Sequence, residues 1–224
     1  MIDINLNKPQ DLHLGDWQLK VRPPLQGDGD QVVLLNHGWT GDERAMWIFA
    51  NAMPKDAWLL AARAPFKSAH EDLGGYSWVD SRADAWSSYN EFGPARQSYL
   101  DMLDQLAARL KIDIGKYSLV GFSQGAAFNM SLALDVPEQV ERMACLAGFA
   151  PEGSREQASV QPLQGKPVFI AHGSQDQIVP LSMALQAKEI LELAGAQVEY
   201  CEGNVGHKLG ANCLSALKNF FAQP

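Results

Sequence analysis

Ser123 sits in the pentapeptide GFSQG, between Gly121 and Gly125, where the apolar run YSLV gives way to the helix-forming stretch QGAAFNMSLAL. A serine hydroxyl is a poor nucleophile unless a base takes its proton, and the base in turn needs an acid to hold one tautomer and to stabilise the imidazolium. A strand, a sharp turn and a helix would present the hydroxyl above the edge of a sheet, in a strained backbone conformation that presses neighbouring segments together. A Cβ at Gly121 or Gly125 would clash there. The helix opening at Gln124 also aims its first N–H groups and its positive end at the serine, where negative charge develops in acyl transfer.

An elbow of this kind predicts the chain order serine, acid, histidine. Of the five histidines, His207 follows a late strand, in the polar, glycine-rich turn CEGNVGHKLG before the final helix. His172 directly follows PVFIA and is the rival base, with a structural place at a strand end expected. His13 and His70 lie in polar segments and read as solvated. None of the five forms an HExxH or other close metal-binding pair, so neither a metal nor an organic cofactor is expected. For the acid, HGSQDQIVP places Asp176 in a loop between a strand and a helix, at the sheet end where ligands bind in such folds. Glu202 is too near His207 in sequence to reach its ring without strain. An oxyanion hole requires two preorganised N–H donors. Gln124 supplies one, and LLNHGWTGDE the other, with Gly38 and Gly41 letting the backbone turn inward. Trp39 N–H is the first choice and Thr40 the alternative. Asp42 is read as the cap of a helix over DERAMWIFANAM, ending before Pro54.

The elements that must carry these residues follow from periodicity. MIDINLN and DWQLKVRPP alternate apolar with polar residues and predict an antiparallel start at one edge of the sheet. QVVLL, AWLLAA, YSLV, RMACLA and PVFIA are short, nearly continuous apolar runs, as in strands buried on both faces, and QVEYC is a last strand of mixed pattern. Between them, RQSYLDMLDQLAARL puts Tyr99, Leu103, Leu106 and Leu110 on one helical face, and LSMALQAKEILELAGA does the same with Ala184, Ala187 and Leu191. ANCLSALKNFF is the last helix. Strands alternating with helices imply an α/β fold, a doubly wound and mostly parallel sheet with helices on both faces.

At 224 residues, 46% hydrophobic and 20% charged, the chain has material for one core, so a single domain over 1–224 without a separate lid is expected. The net charge of −8, with no Lys/Arg cluster, argues against a nucleic-acid partner. No stretch approaches the ~20 apolar residues of a membrane span. The start MIDINLNKPQ lacks the basic and apolar regions of a secretory signal, so the cytoplasm is the expected compartment. Cys145, Cys201 and Cys213 are odd in number, widely spaced and without a CxxC pattern, and are expected to be buried thiols. Two long irregular stretches remain, residues 64–92 and 149–166, and loops of such length usually serve a site. The first carries Phe66, Tyr76, Trp78 and Trp86, of which Phe66 and Trp78 are the candidates for lining an acyl pocket.

Together these parts resemble the α/β-hydrolase superfamily, and more narrowly the carboxylesterase, lysophospholipase and acyl-protein thioesterase family of small, lidless serine hydrolases. The likeness spans nearly the whole chain and rests on NHGWTGDE, GFSQGAA, HGSQDQIVP and the Gly-His pair at 206 and 207; GGYSWVD is similar to that family's substrate-side loop. It implies Ser123 as nucleophile, Asp176 as acid and His207 as base, with the Trp39 and Gln124 N–H groups as oxyanion donors. The family commonly reads H-G-x-G-D-x-x-D where this chain has HGWTGDE, so Trp39 brings a bulkier side chain. The expected activity is hydrolysis of carboxylic esters, thioesters or lysophospholipids through an acyl-enzyme, with activity declining toward acid because the base must be neutral. The competing readings are a binding protein on an inactive hydrolase scaffold and a peptidase or amidase using the same three residues.

Overall fold

In the computed structural model, which describes residues 9–27, 29–69, 72–80 and 86–223, β3 (Val32–Asn36) and β4 (Trp58–Ala62) are buried at every position. Successive side chains of a strand point to opposite faces, so a continuous apolar run serves two cores at once. Val32, Leu34, Leu60 and Ala62 join one core, covered by α1 (Gly93–Leu110), α2 (Gln124–Asp135) and α4 (Leu181–Leu193). Val33, Leu35, Leu59 and Ala61 join the other, under α5 (Ala211–Ala222) and a 3-10 helix over Ala45–Ala52. The faces expected of the helices are the buried ones: Tyr99, Leu103 and Leu106 in α1, and Ala184, Ala187 and Leu191 in α4.

Eight strands form one sheet in the order β1-β2-β4-β3-β7-β8-β9-β10, comprising β1 (Gln10–Leu14), β2 (Trp17–Arg22), β7 (Tyr117–Phe122), β8 (Val140–Leu146), β9 (Pro167–Gly173) and β10 (Gln197–Gly203). β1 and β2 are antiparallel to each other, as is β2 to β4. From β4 to β10 every pairing is parallel. The fold is that expected, with its antiparallel edge. The first proposed strand, MIDINLN, and His70 lie outside the described residues.

The parallel arrangement brings the carboxyl ends of β3, β7, β9 and β10 to the same edge of the sheet. In register, Asn36 pairs with Gly121, so the loop after β3 and the turn after β7 emerge side by side. The loops after β9 and β10 are likewise neighbours, His172 pairing with Glu202. A buried polar brace holds the centre: Asn36 Nδ2 donates to Asn129 Oδ1 of α2 at 2.6 Å, and Tyr99 Oη of α1 donates to Asn36 Oδ1 at 3.0 Å.

Three local expectations are corrected. Asp42 does cap the segment that follows, its Oδ1 accepting the N–H groups of Arg44 and Ala45 at 2.8 and 3.1 Å, but the segment winds as a 3-10 helix and not as an α-helix. Residues 64–92 are not wholly irregular, since β5 (Phe66–Lys67) pairs antiparallel with β6 (Tyr76–Ser77), and the second stretch contains the short α3 (Ser154–Ala158). Only Cys145 is a buried free thiol. Cys201 and Cys213 form a disulfide, because β10 and α5 pack together and bring their Cα atoms to 5.6 Å, so the cysteines lend no support to a reducing compartment. Among the described residues, no helix is long and apolar enough to cross a membrane.

Candidate active site

Ser123 closes β7 with φ 53° and ψ −119°, a conformation costly for a residue bearing a Cβ, and the next residue opens α2. The surroundings hold it there. Ser123 N–H donates to the Leu146 carbonyl at the end of β8. A Cβ on Gly121 would lie 2.3 Å from the Gly125 carbonyl oxygen, and one on Gly125 would lie 2.2 Å from that of Asn36. Both glycines are therefore required by close backbone approach, as the pentapeptide predicts.

Asp176 is buried in the loop after β9. Its Oδ1 accepts the N–H groups of Ile178 and Val179, each at 2.9 Å, and its Oδ2 accepts His207 Nδ1–H at 2.7 Å. Burial acts to raise the Asp176 pKa, but the hydrogen bonds from His207, Val179 and Ile178 together outweigh it and hold the carboxyl below the usual carboxylate range. With its proton committed to Nδ1, a neutral His207 leaves Nε2 as an acceptor. The His207 ring packs against Phe122, the residue before the serine, with centroids 4.9 Å apart. Asp176 and His207 thus meet from the loops after β9 and β10, and the ring of His207 lies against the residue that precedes Ser123.

His172 does not take the base's place. Its side chain is buried, with Nε2–H donating to the Val179 carbonyl at 2.8 Å and lying 3.5 Å from Asp176 Oδ2. It shapes the turn that carries the acid. Glu202 is exposed and accepts from Tyr200 Oη at 3.2 Å, while His13 is exposed on β1, as expected.

The loop after β3 lies against the elbow, where a Cβ on Gly38 would be 3.2 Å from Ser123 Cβ. Thr40 N–H donates to the Tyr76 carbonyl at 3.0 Å, which removes Thr40 from the candidate oxyanion donors. Sequence reasoning missed the ties behind this loop. Gln124 accepts Trp78 N–H through Oε1 at 3.0 Å and donates to Ser77 Oγ at 3.2 Å, coupling the elbow to the 76–79 segment. Arg63 grips Glu43 with two bonds of 2.7 and 3.0 Å and donates to Tyr76 Oη at 3.1 Å. The available signal was a pair of opposite charges, Glu43 in the loop after one apolar strand and Arg63 directly after the next; Gln124 offered none beyond its helix position.

The aromatic expectations divide. Phe66 is half-buried on β5. Trp78 is 0% exposed, stacked on Phe128 with centroids 4.2 Å apart and donating Nε1–H to the His37 carbonyl at 2.8 Å. Its ring braces the loop from within instead of facing an open acyl pocket. Trp86 packs edge-on against Phe149 and stays 41% exposed.

A mostly parallel sheet with a strained serine elbow after a central strand, and an acid and histidine on the last two loops, defines an α/β-hydrolase. The carboxylesterase of Mesorhizobium loti superimposes with a TM-score of 0.79 at 20% identity, over 96% of this chain and 99% of that one. The Bacillus cereus carboxylesterase does so at 0.79 and 23%, over 92% and 93%. In sequence, acyl-protein thioesterase 1 of Kluyveromyces lactis is 26% identical across 72% of this chain and 76% of its own length. The profile of the phospholipase/carboxylesterase family matches residues 24–223. The chain belongs to that family and is a hydrolase.

Proposed function

We propose that the chain is a serine esterase, with Ser123 as nucleophile, His207 as general base and Asp176 as the acid that orients it. Ser123 Oγ attacks the carbonyl carbon of a carboxylic ester while His207 Nε2 takes the hydroxyl proton. The tetrahedral oxyanion is held by the N–H groups of Gln124 and Trp39. His207 then returns the proton to the departing alcohol, leaving an acyl-serine, and the same base activates water to release the carboxylate. Thioesters fit the same steps with a thiol leaving group, consistent with the names of the yeast relatives. Phe66 is the aromatic proposed to border the acyl group, in a single domain without a separate lid.

The observation that carries this reading is the 2.7 Å bond from His207 to the buried Asp176, beside a serine at φ 53°. An inactive scaffold would have no need to maintain that bond together with the strain. The test is hydrolysis of short and long acyl esters and thioesters by the wild type and by Ser123→Ala, with fluorophosphonate labelling of both. Loss of the nucleophile is expected to cost on the order of 10⁶ in kcat and to abolish labelling. Unchanged turnover in Ser123→Ala would end the proposal, and turnover of peptides but not esters would favour the peptidase reading.

A further inference from the structure

His37 ends the apolar run of β3 and is completely buried, yet it takes no part in the proton transfers above. Its ring is bonded at both nitrogens. Nε2 accepts the Ala64 N–H at 3.0 Å, so in the neutral ring the proton resides on Nδ1, which lies 2.7 Å from the Gly38 carbonyl oxygen and donates to it. Gly41 N–H donates to the same oxygen at 3.0 Å. The ring's own backbone is held in turn, since the His37 carbonyl accepts Trp78 Nε1–H.

The Gly38 carbonyl shares a rigid trans peptide with the Trp39 N–H, and in such a plane the two point in opposite directions. Whatever grips the oxygen therefore aims the hydrogen. This peptide lies next to Ser123, where a Cβ on Gly38 would come within 3.2 Å of the serine Cβ. We propose that His37 is a positioning residue: by donating its Nδ1 proton to the Gly38 carbonyl it directs the Trp39 N–H toward the oxyanion that forms on the substrate. The inference rests on the acyl-transfer reading, and it assigns a reaction role to a histidine that touches no reacting atom.

Two substitutions separate the two ends of the ring. The side-chain amide of Asn reaches the place of Nδ1 and can still donate to Gly38, whereas that of Gln reaches the place of Nε2 and can only serve Ala64. A third perturbation comes from outside the ring: a Cβ on Gly41 would lie 2.8 Å from His37 Nδ1 and 2.9 Å from the Gly38 oxygen, so Gly41→Ala pushes the donor off its acceptor. The measurements are kcat and KM on a p-nitrophenyl ester with the full chain, and crystal structures of the variants showing the 38–39 peptide. In His37→Gln and Gly41→Ala, kcat is expected to fall by about 10²-fold with KM changed by less than about threefold, as for loss of one oxyanion donor, while His37→Asn keeps kcat within about tenfold of wild type. The peptide should rotate in His37→Gln and Gly41→Ala and stay in place in His37→Asn. Equal losses in the Asn and Gln variants, or an unmoved peptide in the Gln variant, would overturn the inference. If the His37 variants fail to fold, Gly41→Ala decides by the same readouts. A wild type without esterase activity would instead defeat the proposed function, and the orientation of the peptide in the crystals would still decide whether His37 aims it.

Discussion

Burial of His37 as a neutral ring has a cost that appears on acidification. Burial lowers its pKa from 6.5 to about 4; the bond to the Gly38 carbonyl and the charges of Asp42 and Glu43 oppose that shift, and Arg63 adds to it. The unfolded chain therefore binds a proton near pH 6.5 that the folded chain refuses until about pH 4, and stability rises with pH across that interval. The contribution is complete above pH 6.5 and is lost as the pH falls toward 4. Linkage puts the loss at about 2 kcal/mol by pH 5 and about 3 kcal/mol by pH 4, a substantial part of the 5–15 kcal/mol typical of a domain. The assay is urea unfolding of the wild type and of His37→Asn at pH 7, 6, 5 and 4. Asn cannot titrate, so the stability difference between the two proteins should narrow by that amount as the pH falls. Parallel curves would refute the argument, because they would mean that the native state accepts the proton as readily as the unfolded chain does. Asp176 leaves this interval undisturbed, since its lowered pKa costs stability only below its ordinary value of 3.8.

Asp176→Asn should lower kcat by about 10⁴ with little change in melting temperature, because the Asn oxygen still accepts from Ile178 and Val179 while its NH₂ forces the wrong tautomer on His207; steady-state kinetics and a thermal melt check both halves. Gly125→Ala places a Cβ 2.2 Å from the Asn36 oxygen and 2.4 Å from that of His37, and should destabilise the fold by about 1–3 kcal/mol or more in denaturant titrations while displacing the elbow. Replacing Cys201 and Cys213 together with Ser opens a loop with a sequence separation of 12 residues that contains His207. A stability loss of about 3 kcal/mol is expected, and treating the wild type with reductant should reproduce it in unfolding curves.

Much of this protein is written locally. A strand buried on both faces must be apolar at every position, so β3 and β4 are visible as runs, and the elbow is visible because only glycine tolerates backbone at 2.2–2.3 Å from its missing Cβ. The pairing of Asp176 with His207 followed from chain order, since parallel strands deliver their carboxyl-terminal loops to one edge. What the order of residues did not reveal depends on which distant atoms become neighbours. Cys201 meets Cys213 only because α5 lies back across β10. Trp78 turns inward because Phe128 and the His37 carbonyl receive it, although an aromatic in a long loop reads equally well as pocket lining. Thr40 is excluded as a donor, and His37 acquires its grip on Gly38, through bonds to Tyr76 and Ala64 that exist only after the loops dock. Residue type and periodicity govern burial, which is a property of a segment; the direction of an N–H or a ring is a property of its surroundings, and only the folded chain supplies those.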